Sequence, residues 1–264
     1  SAEGPDDEIC EGLRFHRSRG VAGGPPGLRE WHEVRTHADA IVALAQEWRP
    51  DVLHAHSPAL AGLAAIRAGA KLGIPVVYEI RAFWEDAAVG NGTGREGSAK
   101  YRLTRALENR AVARADAVFT ICEGLRADLV ARGFAPGKIG ISPNAVDLTQ
   151  FGQPVPRDAQ LAQRLGLNEG PVIGFIGSFY PYEGLDDLIA ALPLLRERQP
   201  GARLLLVGGG PQDAALRAQA AASPAAEAIV FTGRVPHAEV ESYYSLIDIR
   251  CGDDPPLRHR LEGF

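Results

Sequence analysis

The chain has 264 residues, of which 45% are hydrophobic, so its length predicts two domains and its composition can supply a core for each. Its formal net charge of −5, spread along the chain, argues against a dedicated nucleic-acid binder, because such proteins need a basic face. Three cysteines, Cys10, Cys122 and Cys251, lie too far apart for a zinc motif and are expected to be reduced, as in a cytoplasmic protein. The sequence contains no apolar run long enough to span a bilayer.

In the first half of the chain, the residue pattern predicts a loop over 1–30, with a short strand near Ile9, Leu13 and Phe15, followed by a helix over 36–48. From Pro50 onward, short apolar strands alternate with helices. The strands are predicted at 51–56, 74–80, 116–122 and 138–142, and the helices at 58–72, 99–114 and 123–132.

The same alternation resumes after a Pro- and Gln-containing stretch at 147–170. Strands are predicted at 171–176, 202–207 and 228–232, with a fourth weakly indicated at 246–250, and helices at 184–198, 211–222 and 236–246. Pro193 predicts a kink or an early end of the helix over 184–198. Together the two runs predict an α/β fold of two Rossmann-like, doubly wound domains, 1–150 and 151–264.

Ligands of such sheets bind at the carboxyl ends of the strands, so the strand-to-loop junctions are the candidate sites. His54 and His56 alternate and therefore share one face of their strand. As a metal pair they are expected to lack a third ligand nearby, which favours a structural or hydrogen-bonding role, although His56 or Ser57 at the end of the strand could reach a ligand.

Charged and aromatic residues crowd the next junction, at 78–86. One interpretation is a surface loop in which Glu79 and Arg81 pair with each other. The other is a polar site that grips a hydroxylated substrate, with Trp84 as a stacking wall. The residues alone leave both interpretations open.

Two glycine-rich turns follow strands in the second half, at 174–184 and 207–211. Glycines before a helix allow backbone amides to face a phosphate, although tight turns need glycine for other reasons as well. The second turn is not a dinucleotide fingerprint, because Asp213 stands where a glycine is required and the next strand ends without an acid. The sequence also has no nucleophile elbow, P-loop or zinc motif.

Several stretches together resemble the retaining glycosyltransferases of family 4, also called group 1, and specifically the exosortase-associated branch in bacterial exopolysaccharide loci. The stretches are YEIRAFWEDAAV at 78–89, the segment over 95–133, ISPNAVD at 141–147, GSFYPYEGLDDLIAALP at 177–193, LLLVGGGP at 204–211 and FTGRVPHAEVESYY at 231–244. The resemblance implies a GT-B fold, with an acceptor-side domain first and a donor-binding domain second, facing each other across a cleft.

The resemblance also implies roles for individual residues. On the acceptor side, the candidate catalytic residues are Glu79, Arg81 and His56, and Trp84 and Asn144 would bind the acceptor. On the donor side, the candidate residues are Gly177, Ser178, Tyr182, Glu183, Gly184, Gly208, Arg234 and Val235. No metal and no cofactor are implied, because the nucleotide sugar is itself the substrate.

The sequence departs from this family at two kinds of position. Phe179 and Glu183 stand at or near the places where many relatives carry an Arg and a Lys, so the phosphate charge must be met elsewhere or by backbone amides. Relatives also carry a first strand with a Gly-rich loop and, after 246–250, a pair of glutamates with seven residues between them, neither of which is visible here. The chain is therefore expected to be a fragment, lacking the first strand of domain one and part of domain two.

The expected function is sugar transfer from a nucleotide-diphosphate donor to a glycan or lipid-linked acceptor, with retention, in exopolysaccharide or cell-envelope glycan synthesis. A cytoplasmic location follows, compatible with peripheral attachment to the inner face of the membrane. Two alternatives remain open: a sugar-nucleotide epimerase with a GT-B fold, and a non-catalytic remnant of a glycosyltransferase.

Overall fold

The computed structural model describes residues 7–10, 12–17, 25, 27–146, 155–167 and 169–252. The chain divides into two compact units, Ser1–Ala145 and Val146–Phe264, called unit 1 and unit 2 below. The domain boundary predicted at 150 and the tail after 252 lie outside the described residues. Within the described chain, no helix combines the length and the apolar character that crossing a bilayer requires.

Unit 1 consists of a small hairpin followed by a parallel α/β layer. Its described elements are β1 (Asp7–Cys10), β2 (Leu13–His16), α1 (Leu28–Trp48), β3 (Leu53–His56), α2 (Ala59–Leu72), β4 (Val76–Ile80), α3 (Trp84–Gly90), α4 (Ala99–Arg114), β5 (Ala117–Thr120), α5 (Glu123–Ala131) and β6 (Ile139–Ile141). The strands β1 and β2 pair with each other in antiparallel fashion. The other four form a parallel sheet in the order β3-β4-β5-β6.

Unit 2 repeats the parallel arrangement. Its described elements are α6 (Ala159–Leu165), β7 (Val172–Ser178), α7 (Leu185–Arg198), β8 (Arg203–Gly209), α8 (Asp213–Ala221), β9 (Ile229–Gly233), α9 (Val240–Tyr244) and β10 (Ile249–Arg250). The strand order is β10-β7-β8-β9, and all the pairs are parallel. The predicted α/β fold with two Rossmann-like sheets is confirmed.

The strands read as continuous apolar runs because both faces of each sheet are covered. Leu204, Leu205 and Leu206 follow one another along β8, and none of them is exposed. Leu204 and Leu206 pack on one face of the sheet, and Leu205 packs on the other with α6 and Leu246. This two-sided burial is the physical reason why strand positions could be predicted from composition alone.

Four helix predictions need correction. Helix α1 begins at Leu28 rather than at 36. The sequence did not indicate its first turns because they are charged and lack an apolar stripe. In the structure, Glu30 caps this end by accepting a hydrogen bond from the Gly27 amide. Of the two effects predicted for Pro193, the early end is wrong, since α7 runs on to Arg198, and the kink stays a prediction. Ile189 and Leu192, each 1% exposed, bury this helix against the sheet, and that packing outweighs the local penalty of a proline.

The other two corrections concern short elements. The residues 84–90 form helix α3 where only a loop was expected. The predicted helix over 236–246 divides into a 3-10 turn, His237–Glu239, and the short α9. Segments of this length carry too few turns to show a helical period in the sequence.

Candidate functional site

The carboxyl edge of the parallel sheet in unit 1 gathers the residues that the sequence singled out in that half. His56 ends β3, Glu79 and Arg81 lie at the end of β4, and Asn144 follows β6. Because parallel strands all end at the same edge, residues far apart in the chain are brought together there. The backbone holds the ends of β3 and β4 together here, since the Ser57 amide donates a hydrogen bond to the Glu79 carbonyl at 2.8 Å.

Glu79 is the centre of this edge. Its side chain is 7% exposed, and it contacts three cationic or potentially cationic neighbours at 3.3 Å each. The three contacts are His54 Nε2 to Oε2, His56 Nδ1 to Oε1, and Arg81 Nη1 to Oε1. These three neighbours offset the cost of burying the Glu79 carboxylate. The sequence expectation that the two histidines lack a third ligand nearby is wrong, because Glu79 stands beside both.

The guanidinium of Arg81 is held from two sides. One arm donates to Glu79, and Nη2 donates to the Asn144 side-chain oxygen at 2.9 Å. The backbone amide of Arg81 also donates to Ser57 Oγ at 3.1 Å. The side chain remains 50% exposed, so the fork of donors is oriented and accessible at the same time. Arg81 and Asn144 were assigned to different roles from the sequence, and the structure places them in direct contact.

Trp84, the predicted acceptor-stacking residue, opens α3 immediately after this edge and is 50% exposed. The next residue, Glu85, is 2% exposed. It forms an ion pair at 3.0 Å with Arg132, which also pairs with Asp128 and lies 3.9 Å above the centre of the Phe83 ring. The buried ion pair between Glu85 and Arg132 therefore joins α3 to the end of α5.

A second buried acid lies near this pair. The Tyr78 hydroxyl donates to Glu108 at 2.6 Å, and both side chains are completely buried. Burial, reinforced by the charge of Glu85, raises the pKa of Glu108 to about 7, against the lowering effects of the Tyr78 hydrogen bond and Arg132. Burial also raises the pKa of Tyr78 far above its ordinary value. Sequence reasoning missed both acids, because Glu85 falls in a stretch expected to be a loop and Glu108 looks like a surface residue of a charged helix.

In unit 2 the two glycine-rich turns lie side by side. Gly177 on β7 is paired with Gly208 on β8, and Ser178 with Gly209. Gly208 has φ +134°, and a Cβ at this position would overlap the carbonyl oxygen of Gly177. The end of β8 can approach the Gly177 carbonyl this closely only because Gly208 has no side chain. The result is a patch of bare backbone at the carboxyl edge.

Arg234 lies beside this patch. A Cβ at Gly209 would meet Arg234 Cγ at 3.7 Å, so the arginine stem passes over the turn, and its side chain is exposed. The neighbouring Val235 packs against the core of unit 2 instead. Phe179 is completely buried, so it contributes to the core and cannot face a phosphate. Arg234 is thus the cationic side chain that the structure places against the glycine turns.

The remaining predicted donor residues occupy the turn between β7 and α7. Tyr182 is 50% exposed and stacks on Tyr180 at 5.3 Å with an interplanar angle of 10°. Glu183 ends the 3-10 turn Pro181–Glu183, and Gly184 has φ +67° at the start of α7. The first turn of α7 carries Asp186 and Asp187. These carboxylates already complement the positive end of the helix dipole, which weakens its attraction for phosphate.

Two family models match this chain. One, described as a glycosyl transferase 4-like domain, matches residues 2–145, and the other, described as glycosyl transferases group 1, matches residues 170–251. The two matches coincide closely with the two units of the structure.

Curated relatives and solved structures agree with these matches. The chain is 29% identical over 216 residues to the 2-deoxystreptamine glucosyltransferase of Streptomyces kanamyceticus, covering 79% of this chain and 54% of that protein. It is 32% identical over 219 residues to the D-inositol 3-phosphate glycosyltransferase of Segniliparus rotundus, covering 79% and 46%. HepE from Anabaena, solved in complex with UDP and glucose, superposes with a TM-score of 0.62 at 20% identity, covering 81% and 54%. The chain thus spans about half the length of these proteins.

Proposed function

We propose that this chain, which belongs to the glycosyl transferases through its 4-like domain over residues 2–145 and its group 1 match over residues 170–251, takes part in transferring a sugar from a nucleoside diphosphate donor to a hydroxyl of a glycan or lipid-linked acceptor. Retention of the anomeric configuration, membership of family 4 and a role in exopolysaccharide or envelope glycan synthesis are further parts of this proposal. They rest on the motifs at 78–89 and 177–193.

The observation that carries the proposal is the position of Arg234 beside Gly209, in the glycine turn of β8 that is paired with the end of β7. When a glycosyl bond breaks, negative charge develops on the departing diphosphate. A guanidinium and bare backbone at the end of a sheet can stabilise that charge, because both are oriented before the reaction begins. Since Asp186 and Asp187 offset the dipole of α7, Arg234 carries most of this stabilisation.

The edge of unit 1 supplies the groups that an acceptor needs. The guanidinium of Arg81 is oriented by Glu79 and Asn144 and can donate to sugar hydroxyls. Glu79 can accept a hydrogen bond from the attacking hydroxyl and hold it in place, assisted by His56. The half-exposed ring of Trp84 offers a flat apolar surface to a pyranose ring.

The proposal is tested first by nucleotide binding. Calorimetric titration with UDP, GDP and ADP should show saturable binding of at least one of them, and Arg234→Ala should weaken it by at least tenfold. Arg198→Ala is the matched control, because Arg198 lies at the opposite end of α7 and is also exposed. Absence of binding by all three nucleotides, or an equal effect of both substitutions, would refute the assignment of the donor site.

Transfer itself is followed by NMR of the anomeric centre, with UDP-glucose or GDP-mannose as donor and a panel of glycan and lipid-linked acceptors. Retention predicts a product with the anomeric configuration of the donor. Conversion of a sugar nucleotide into its epimer without an acceptor would instead establish the epimerase alternative. Nucleotide binding without any turnover would establish the non-catalytic remnant.

A further inference from the structure

The carboxyl edge of unit 1 contains a second arrangement, in which two imidazoles and one carboxylate converge. His54 and His56 occupy alternate positions of β3 and share a face. Glu79 on β4 is the backbone register partner of His56, so it lies beside that same face. All three side chains are mounted on paired strands, which hold a constellation more precisely than loops do.

The distances within this cluster match those of a metal-binding site. Glu79 lies 3.3 Å from His54 Nε2 through one oxygen and 3.3 Å from His56 Nδ1 through the other. One ligand atom from each residue lies within 4.8 Å of the other two. In tetrahedral zinc sites, metal–ligand distances of about 2.0–2.2 Å separate neighbouring ligand atoms by about 3.3–3.6 Å. The two carboxylate–imidazole contacts already have this separation, and rotation of the two half-exposed imidazoles would bring all three ligand atoms around one cation.

A metal site that keeps a water ligand needs fixed ligands and access to solvent, and the three side chains provide both. Glu79 is 7% exposed and fixed, whereas His54 and His56 are 44% and 52% exposed, which leaves a path for the cation and a free coordination position for water. Two imidazoles and one carboxylate with one open position form a ligand set that zinc favours. The two rings are already stacked at 4.7 Å with an interplanar angle of 23°.

Arg81 is the competitor for this site. Its Nη1 lies 3.3 Å from Glu79 Oε1, the same oxygen that faces His56. A guanidinium cannot act as a ligand and repels a cation. Its side chain is half exposed and has a second partner in Asn144, so it can leave Glu79 without losing every hydrogen bond.

We propose that His54, His56 and Glu79 form a binding site for Zn²⁺, completed by water, and that the cation and Arg81 compete for Glu79. The metal is not required for sugar transfer. Occupancy instead removes Glu79 and His56 from the acceptor site and inhibits transfer, and this last clause rests on the proposed function.

The binding part is tested on the whole chain, purified without a histidine tag, by Zn²⁺ titration in competition with a chromogenic chelator. The expected result is one tight equivalent, weakened at least tenfold in His54→Ala and in Glu79→Gln. His32→Ala is the matched control, because His32 is exposed on α1 outside the cluster, and it should bind as the parent does. Arg81→Ala should bind several times more tightly. Co²⁺ should produce the visible absorption of a tetrahedral site in the parent and lose it in His54→Ala.

The site is overturned if the parent has no tight equivalent, or if His54→Ala binds as tightly as the parent. Weaker binding by Arg81→Ala would overturn the competition. If Glu79→Gln fails to give a cooperative melt, His54→Ala decides the test, because the His54 side chain is 44% exposed and its loss should leave the fold intact. UDP titration of the same samples separates this proposal from the previous one: zinc binding without nucleotide binding leaves the metal site standing and removes the proposed function. Zinc inhibition of transfer should be absent in His54→Ala relative to its own basal rate.

Discussion

Arg132 and Glu85 form an ion pair at 3.0 Å in which 2% and 0% of the two side chains are exposed. The pair joins residues 47 positions apart, one at the end of α5 and one in the first turn of α3. Since Glu85 follows Trp84 directly, the pair sets the direction in which α3 leaves the candidate acceptor site. A buried pair of this kind is costly to break, because the remaining charge stays in an apolar surrounding.

Glu85→Gln is therefore expected to lower the free energy of unfolding by about 3 kcal/mol. Glu123→Gln is the matched control, since Glu123 pairs with Arg126 at 2.8 Å but is 64% exposed, and its loss should change stability by less than about 1 kcal/mol. Urea unfolding followed by circular dichroism measures both. Similar effects of the two substitutions would show that the buried pair contributes no more to stability than the exposed pair.

The buried carboxyl of Glu108 predicts a pH dependence of stability. With its pKa raised to about 7 from an ordinary value of 4.5, Glu108 keeps its proton in the folded chain where the unfolded chain has lost it. The folded state binds more protons between these pH values, so the free energy of unfolding should fall by about 3 kcal/mol from pH 4.5 to 7 and then stay level. Glu108→Gln should remove this decrease, whereas exposed Glu96→Gln should retain it. Unfolding curves across this pH range that coincide for the parent and Glu108→Gln would contradict the prediction.

Gly208 is expected to resist even the smallest substitution. At φ +134°, with the Gly177 carbonyl where a Cβ would stand, Gly208→Ala should destabilise the chain by about 1–3 kcal/mol and weaken UDP binding by separating the two turns. Gly124→Ala provides the control, because Gly124 lies in α5 with no neighbour closer than 3.9 Å, and alanine there should be neutral or stabilising. Unfolding midpoints and UDP titration together decide the outcome.

Arg81→Ala should affect turnover much more than stability. The side chain is half exposed, so losing its ion pair with Glu79 should change the free energy of unfolding by less than about 1 kcal/mol. Loss of its oriented donors should reduce the transfer rate by about 10²-fold or more. Exposed Arg95→Ala is expected to leave both quantities unchanged. An unfolding midpoint that collapses while the folded fraction keeps its activity would assign Arg81 a structural role instead.

Sugar transfer is expected to proceed without a divalent cation. The candidate donor site supplies its positive charge through Arg234 and backbone, so excess EDTA should leave the rate unchanged. With the zinc site proposed above, EDTA should restore full activity to zinc-inhibited enzyme. Loss of transfer in EDTA that is recovered only with Mg²⁺ or Mn²⁺ would overturn metal independence.

The sequence by itself determined the parallel α/β class, the chain order of the sheet strands and of the longer helices, and the strand ends at which the candidate residues lie. These features follow from local patterns: the apolar run of β8 and the helical spacing of α4, predicted at 99–114 and observed over Ala99–Arg114, need no knowledge of distant residues.

Tertiary structure decided which polar residues meet. Strand register placed Glu79 beside both His54 and His56 and so created a three-residue cluster, where the sequence had favoured a structural role for the histidines. Packing of α3 and α5 buried Glu85 on Arg132, and the pairing of β7 with β8 brought Gly177 to Gly208. The reason is physical: hydrophobic periodicity is a property of neighbouring residues, whereas a contact across 23 to 47 positions depends on register and burial, which exist only once the chain has folded.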